Sequence, residues 1–302
     1  MGEILRAKYI EVNNSFKKCL IYPLTNRGFT SELNNLILAA AYALSVEKKL
    51  MISSANWNAG RWTDFFNVTV DEFNTFYNIP DLVFKKGRKE IYTEKLHRIL
   101  NKEAEILNAK IWAALRSPEF LNRKFIFPDF GIDGDIFELK KVLSTILLDY
   151  NTQTIKAIQN INAVHDFDYN KLIAVHIRRG DKIKTEAPLI AISEYLEVAK
   201  LHSSFTDLFI ATDNYDTVKE IGKSSDFRRI YTNCKPIAHG HDQRIFNNRN
   251  YEDRKNLMYQ LIADIEIMKN AGLFVCTYSS NIGRYLRLLR EDKGCYSVHG
   301  KW

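Results

Sequence analysis

The second half of the chain alternates short apolar runs with longer segments of helical periodicity. The apolar runs predict strands over 171–177, 207–212, 229–232, 273–277 and 295–299. Between them, apolar residues recur every three or four positions, which predicts helices over 193–202, 214–223, 252–271 and 280–290. Strands that alternate with helices in this way indicate a parallel sheet covered by helices on both faces.

The first half is mixed but less regular. Its apolar pattern predicts strands over 18–23 and 50–54, and helices over 31–48, 94–116 and 135–161. The polar stretch at 166–170 separates the halves. We therefore expect two Rossmann-like α/β lobes with a cleft between them, an N-terminal lobe at 1–165 and a C-terminal lobe at 171–302.

Composition narrows the class of protein. Of the 302 residues, 46% are apolar and 26% are charged, which is typical of a folded globular chain. The net charge of +7 suits a phosphate-bearing ligand but is too diffuse to indicate nucleic acid. No apolar stretch approaches the roughly 18–20 residues of a membrane span. The N-terminus lacks a signal-peptide pattern and the four cysteines are scattered, so we expect free thiols and a cytoplasmic protein.

Charged residues are concentrated directly after the strand predicted at 171–177. Because side chains alternate along a strand, His176 and Arg178 share one face and Arg179 takes the other. Arginine forks bind phosphate oxygens bidentately and stay charged at any working pH, so this strand end predicts a phosphate site. A surface ion-pair network is the alternative interpretation. The same segment adds three further charged residues: Asp181, Lys182 and Glu186.

A second polar cluster runs from the strand at 273–277 into the following helix. The free N–H groups at a helix start bind anions, and Arg284 lies about one turn into the helix. Helix capping without any ligand explains the same residues equally well. The hydroxyl and amide groups of the cluster are those of Thr277, Ser279, Ser280 and Asn281.

Two acidic residues occupy informative positions. Asp264 interrupts the apolar stripe of the helix at 252–271, where a buried carboxylate requires a hydrogen-bond donor. The Watson–Crick edge of guanine, a backbone N–H or a neighbouring arginine would each supply one. Asp213 ends the 207–212 strand and fits either ligand contact or helix capping. His239 and His241 are interpreted as loop histidines, because no further ligand completes a zinc site.

Together these segments resemble the α-1,6-fucosyltransferase family, which includes the animal core fucosyltransferase of N-glycans and the rhizobial nodulation fucosyltransferase. His-x-Arg-Arg-x-Asp-Lys-x-x-x-Glu at 176–186 is similar to its donor-site signature, and Ala-Thr-Asp at 211–213 to its second segment. Asp264, with Cys-Thr-Tyr-Ser-Ser-Asn-x-x-Arg at 276–284, resembles the third. The first half resembles the family at 27–35, 54–57 and 60–62.

The resemblance implies a GT-B-like, inverting transferase that moves L-fucose from GDP-fucose to a glycan hydroxyl, for example on an N-acetylglucosamine-containing glycan. It implies no metal and no cofactor, and the diffuse charge of the chain gives no indication of a nucleic-acid partner. Arg178 would hold the diphosphate, Asp264 the guanine edge and Ser280 the phosphates. Glu186 would be the general base, with Lys182 near the departing charge. Asp181 would join the catalytic group, and the remaining donor-site residues would be His176, Arg179, Asp213, Thr277, Ser279, Asn281 and Arg284.

The chain departs from that family in several places. Gly180 stands where the animal enzyme has Thr, and Asn34-Asn35 replaces a His pair. The chain ends at Trp302, so we expect neither the C-terminal SH3-like domain of the animal enzyme nor its stem and membrane anchor. Two other functions stay open at this point: a transferase that uses a different nucleotide sugar, and a GDP-sugar-binding module without catalysis.

Overall fold

The chain separates into two units, each with its own parallel β-sheet. A computed structural model describes residues 2–73, 104–181, 189–201, 205–224 and 227–299. The units are Met1–Thr154 and Ile155–Trp302. Parallel sheets with flanking helices confirm the predicted α/β class. Within the described ranges, no helix combines the length and the apolar character needed to cross a membrane.

The first unit is built on a four-stranded parallel sheet with the order β3-β2-β1-β4. A separate antiparallel pair, β5 and β6, lies outside that sheet. The elements of this unit are α1 (Gly2–Ser15), β1 (Lys18–Pro23), α2 (Phe29–Ser45), β2 (Lys48–Ser53), β3 (Asp71–Phe73), β4 (Ala104–Ile106), α3 (Ala109–Ala114), α4 (Pro118–Leu121), β5 (Phe125–Phe127), β6 (Ile132–Gly134) and α5 (Ile136–Leu147).

A buried carboxylate joins the end of β1 to the start of α2. Glu32 is fully buried and accepts hydrogen bonds from the Tyr22 hydroxyl at 3.1 Å and the Thr25 hydroxyl at 2.7 Å. Burial raises the pKa of the Glu32 carboxyl, and the hydrogen bonds from Thr25 and Tyr22 oppose that shift. These partners make burial of the charge tolerable, since an unpaired carboxylate would be strongly disfavoured there.

Two of the helix predictions for the first half of the chain are partly wrong. The segment predicted as one helix over 135–161 is two helices, because residues 149–151 leave the helical path to bond a neighbouring segment. Asn67 N–H donates to the Asp149 carbonyl at 2.8 Å and Asn151 N–H to the Phe65 carbonyl at 3.0 Å. The segment predicted as a helix over 94–116 contains strand β4, which pairs with β1, and only its end is helical, as α3; residues 94–103 lie outside the described ranges.

The second unit contains a five-stranded parallel sheet with the order β11-β10-β7-β8-β9. All five predicted strands and all four predicted helices are confirmed, with ends that shift by at most two residues. Its elements are α6 (Thr152–Asn162, begun in the first unit), β7 (Leu172–Ile177), α7 (Ile192–Lys200), β8 (Asp207–Thr212), α8 (Tyr215–Ser224), β9 (Arg229–Tyr231), α9 (Gln243–Asn247), α10 (Tyr251–Asn270), β10 (Leu273–Cys276), α11 (Asn281–Leu289) and β11 (Cys295–Ser297).

Helices cover both faces of this sheet, and all six residues of β7 are buried. On one face, alternate strand residues such as Ile173 and Val175 pack against Leu196 of α7 and Ile221 of α8. The residues between them face α10, which contacts β7 and β8. A strand covered on both sides has no polar face, so its polar residues collect at its ends.

The carboxyl ends of the strands meet at one edge of the sheet. Because all five strands run in the same direction, the segments that leave β7, β8, β9 and β10 emerge together. These segments are 178–181, 213–214, 232–234 and 277–280. In open parallel sheets this edge is where ligands bind.

Two leucines of the second unit should differ greatly in how much they contribute to the free energy of unfolding. Leu208 in β8 is fully buried, whereas Leu201 at the end of α7 is 80% exposed. Leu208→Ala should lower the free energy of unfolding by about 2–5 kcal/mol, because it removes packed atoms and leaves a cavity. Leu201→Ala should change it by less than about 0.5 kcal/mol. Urea unfolding measures both, and equal effects would contradict the assigned core.

Candidate functional site

The turn after β7 holds an arginine and a carboxylate in contact. Arg178 Nη2 donates to Asp181 Oδ1 across 3.2 Å, with side-chain exposures of 32% and 25%. A guanidinium has five N–H donors, so this bond leaves donors available for an anion. Lys182 and Glu186 follow this turn but lie outside the described residues.

His176 lies beside this turn as a neutral, buried imidazole. Burial lowers its pKa to about 4; the Asp213 charge opposes that shift and the Arg178 charge adds to it. Its Nδ1 atom is buried and has no hydrogen-bond partner in the part of the chain that the structure describes. Buried polar atoms are normally paired, so an unpaired nitrogen here departs from what a core position usually shows.

Asp213, at the end of β8, binds backbone on both sides. Its Oδ1 accepts a hydrogen bond from Arg179 N–H at 2.7 Å, and its Oδ2 accepts one from His241 N–H at 3.0 Å. The carboxylate therefore connects the turn after β7 to the 238–243 segment. Both of its oxygens are engaged by the protein.

The Arg179 side chain lies on the α7 side of the sheet. Its Nη1 donates to the Ile190 carbonyl at 2.8 Å, beside a cavity of about 720 Å³ that it lines with residues of α7 and α8. It also interacts with Tyr195 of α7, whose side chain bonds that of Thr277. Burial raises the pKa of Tyr195 to about 12, and Arg179 opposes that shift. Tyr195 thus links the turn after β7 to the turn after β10.

The turn after β10 leads into α11 through a capped helix start. The Ser280 hydroxyl accepts a hydrogen bond from Ile282 N–H at 3.3 Å, which makes Ser280 the N-cap. Arg284 Nε donates to the Tyr278 carbonyl at 2.8 Å, and partial burial lowers the pKa of its guanidinium. Ser279 at this turn is exposed, and Asn281 is half-buried as the first helical residue.

Asp264 of α10 is held by Asn233, which follows β9. Asn233 Nδ2 donates to its Oδ1 at 2.8 Å, and His165 Nε2 lies 2.8 Å from the Asn233 Oδ1. Gln260 Nε2 donates to the Asn233 carbonyl at 2.7 Å. Burial raises the pKa of Asp264 to about 7, and the Asn233 hydrogen bond opposes that shift.

The structure joins the predicted residues into three groups at the carboxyl edge. The groups are Arg178 and Asp181 with His176 and Asp213, Arg179 with Thr277, and Ser280 with Arg284. Asp264 contacts the segment after β9 that reaches the same edge. Sequence reasoning missed four residues that join these groups: Tyr195, Asn233, His241 and Gln243. Of these, only Asn233 had a usable signal, because it follows a predicted strand directly.

The two histidines of the 238–243 segment are held by backbone contacts. Across the described ranges, no group of three or more His, Cys, Asp or Glu side chains is arranged to hold a metal ion. The backbone N–H of His241 donates to Asp213, and His239 forms an isolated antiparallel β-bridge with Asn214.

Comparison with known proteins identifies the family. A family model described as "Alpha-(1,6)-fucosyltransferase N- and catalytic domains" matches residues 129–289, which is more than half of the chain. The chain belongs to the α-1,6-fucosyltransferase family. The match includes all three groups at the carboxyl edge, whereas residues 20–65, which resemble the family in sequence, lie outside it.

Among relatives of this fucosyltransferase-family chain, the Caenorhabditis elegans alpha-(1,6)-fucosyltransferase is 26% identical over 158 residues. Those residues are 49% of this chain and 27% of that protein, so the chain spans about a quarter of its relative's length.

Solved structures of fucosyltransferases share the fold. NodZ alpha-1,6-fucosyltransferase co-crystallised with GDP aligns over 90% of this chain and 93% of its own, with TM-score 0.52 and 14% identity. NodZ from Bradyrhizobium aligns over 90% and 94%, with TM-score 0.52 and 13% identity. A mutant of Arabidopsis thaliana FUT1 in complex with GDP aligns over 99% and 75%, with TM-score 0.56 and 12% identity. At these identities the likeness concerns the fold.

The desolvated Asp264 carboxylate predicts a pH-dependent stability. Its pKa rises from 3.8 in the unfolded chain to about 7 on folding, so the folded state loses stability as pH rises between these values. Asp264→Asn should not show that loss. Its free energy of unfolding, relative to that of the wild type, should therefore be higher at pH 8 than at pH 5. Urea unfolding at both pH values tests this. Glu266→Gln in the same helix serves as the control, and an unchanged pH dependence in Asp264→Asn would contradict the assignment.

Proposed function

We propose that this chain transfers L-fucose from GDP-fucose to a hydroxyl of a glycan acceptor, by inversion and without a metal ion. The observation that carries the proposal is the accessible Arg178 guanidinium at the carboxyl edge of the sheet, beside a buried neutral histidine with an unpaired nitrogen. Family membership and the GDP complexes of proteins with the same fold support GDP as the nucleotide.

The donor diphosphate would bind Arg178 and the start of α11. A guanidinium binds phosphate oxygens with charged hydrogen bonds, and the free N–H groups of a helix start favour an anion. Ser280 caps that helix, and Arg284 is fixed one turn further along it. Thr277, Ser279 and Asn281 belong to the same turn. Arg179 lies near it, because Tyr195 interacts with both Arg179 and Thr277.

The guanine edge would bind Asp264. The N1–H and amino groups of guanine are donors that a carboxylate accepts, and Asn233 donates to the Oδ1 of Asp264. Because the ionised form accepts these bonds, GDP affinity should rise as pH passes through about 7. His176, with a pKa of about 4, keeps one form across that range.

The chemical step would be a single displacement. The acceptor oxygen attacks the anomeric carbon of fucose, its proton passes to Glu186, and GDP leaves with the electrons of the broken C–O bond. Attack from the opposite side inverts the anomeric centre. Negative charge grows on the β-phosphate, where fixed cations such as Arg178 and Lys182 stabilise it. Asp181 and Asp213 would act by positioning, since their carboxylates bind protein groups.

Nucleotide binding tests the donor assignment. In calorimetric titrations we expect GDP to bind more tightly than UDP or ADP. Arg178→Ala should weaken GDP binding by about 10²-fold, because it removes charged hydrogen bonds of about 1.5–3 kcal/mol each. Arg228→Ala makes the same charge change at the opposite edge, before β9, and should retain GDP affinity. A preference for UDP would contradict both GDP-fucose as the donor and the guanine contact proposed for Asp264.

Transfer assays test the chemistry. Fucose transfer to a glycan panel, read by mass spectrometry, should persist in EDTA, and strict dependence on Mn²⁺ would contradict fixed-cation stabilisation. Glu186→Gln should keep GDP affinity and lose about 10²–10⁴-fold in turnover, because the acceptor proton then has no base. Glu252→Gln, at the start of α10, is the matched control. An unchanged rate in Glu186→Gln would show that another group acts as the base. If the wild type neither transferred fucose nor hydrolysed GDP-fucose, the chain would be a GDP-sugar-binding module without catalysis.

A further inference from the structure

The backbone segment 238–243, here called the docked loop, lies directly on the turns that follow β7 and β8. Asp181 N–H donates to the His241 carbonyl at 2.9 Å, and Gly240 N–H to the Asp213 carbonyl at 2.7 Å. Tyr215 N–H donates to the Ala238 carbonyl at 2.9 Å. The loop is therefore attached to both turns by main-chain hydrogen bonds, which do not depend on its side chains.

Two glycines make this close approach possible. A Cβ added to Gly180 would lie 2.3 Å from the His241 carbonyl oxygen and 2.6 Å from Asp213 Oδ2. Gly180 is thus required for space. Gly240 has a φ of +104° and its added Cβ would lie 3.3 Å from the Gly180 Cα. Gly240 is thus required for backbone conformation as well as for space.

Asp181 connects the docked loop to Arg178. Its Oδ2 accepts a hydrogen bond from Gln243 N–H at 3.0 Å, while its Oδ1 accepts the Arg178 Nη2 bond at 3.2 Å. An exposed ion pair alone is worth only about 0–1 kcal/mol, and an arginine side chain has about 2 kcal/mol of rotamer entropy to lose. One ion pair is therefore too weak to hold Arg178 in place unless the carboxylate is itself fixed. The loop backbone fixes it.

We propose that the docked loop positions Arg178 for the donor diphosphate, acting through Asp181, and that the absence of a side chain at Gly180 is what allows the loop to dock. This inference rests on the proposed function. Asp181 and Gly180 are positioning residues, and the benefit is preorganisation: the arginine does not have to be ordered when the nucleotide binds.

Gly180→Ala tests the steric part. The added methyl must displace the loop backbone, so GDP affinity should fall by about 10²-fold, the scale of a misplacement near 1 Å. Gly222→Ala in α8 is the matched control, because its added methyl has no atom within 4 Å. Both variants are measured by calorimetry at a temperature where near-UV circular dichroism shows native packing. Wild-type affinity in Gly180→Ala overturns the proposal. If that variant fails to fold, Gly240→Ala tests the same contact from the loop side.

A double-mutant cycle tests whether the loop acts through Arg178. If it does, Gly180→Ala combined with Arg178→Ala should bind GDP as weakly as Arg178→Ala alone. Losses that add in the double variant would mean a general structural effect and would overturn the positioning role. The Gly222→Ala and Arg178→Ala pair should show no coupling.

Hydrogen exchange separates failure of this inference from failure of the proposed function. The amides of Arg179, Asp181 and His241 should be protected in the wild type and exposed in Gly180→Ala, whatever the nucleotide. The wild type could show protected amides that Gly180→Ala loses and yet bind no GDP. That result would overturn the proposed function but leave the docking of the loop intact. GDP binding by the wild type with unprotected amides would overturn the loop inference alone.

Discussion

The burial of β7 on both faces is the constraint on which the site depends. Six consecutive residues of Leu172–Ile177 are buried between α7 and α10, so the strand can carry charge only beyond its end. The charged run that begins at Arg178 therefore starts where the apolar run stops. Because the neighbouring strands are parallel, their polar endings reach the same edge of the sheet.

Polar groups near this edge reduce the stability of the fold. Burial opposes ionisation of Asp264, keeps His176 neutral and lowers the pKa of Arg284. None of these shifts helps the protein to fold, and each is what a ligand with donors, acceptors or negative charge would relieve. Binding sites are commonly less stable than cores for this reason. Burial raises the pKa of Glu32 in the same way, but that carboxylate accepts hydrogen bonds from both the Tyr22 and the Thr25 hydroxyls.

The sequence predicted what depends on periodicity and missed what depends on contacts distant in the chain. β8 was predicted at its observed ends because a buried parallel strand has a strong local pattern. The break at 148–151 was missed, since it depends on bonds to residues 65–67. Asp213 was predicted to contact the ligand, but no local pattern shows that its oxygens bind the Arg179 and His241 backbones.

Gly180 also restricts the backbone around it. The space that a β-carbon needs at this position is filled by the His241 backbone, so the two arrangements exclude each other. A β-carbon at position 180 would therefore require the 238–243 segment to follow a different path, because the His241 carbonyl oxygen occupies its place. Glycine at position 180 thus ties the path of residues 238–243 to the identity of one residue beside Arg178, and a template with a side chain there would misplace that segment.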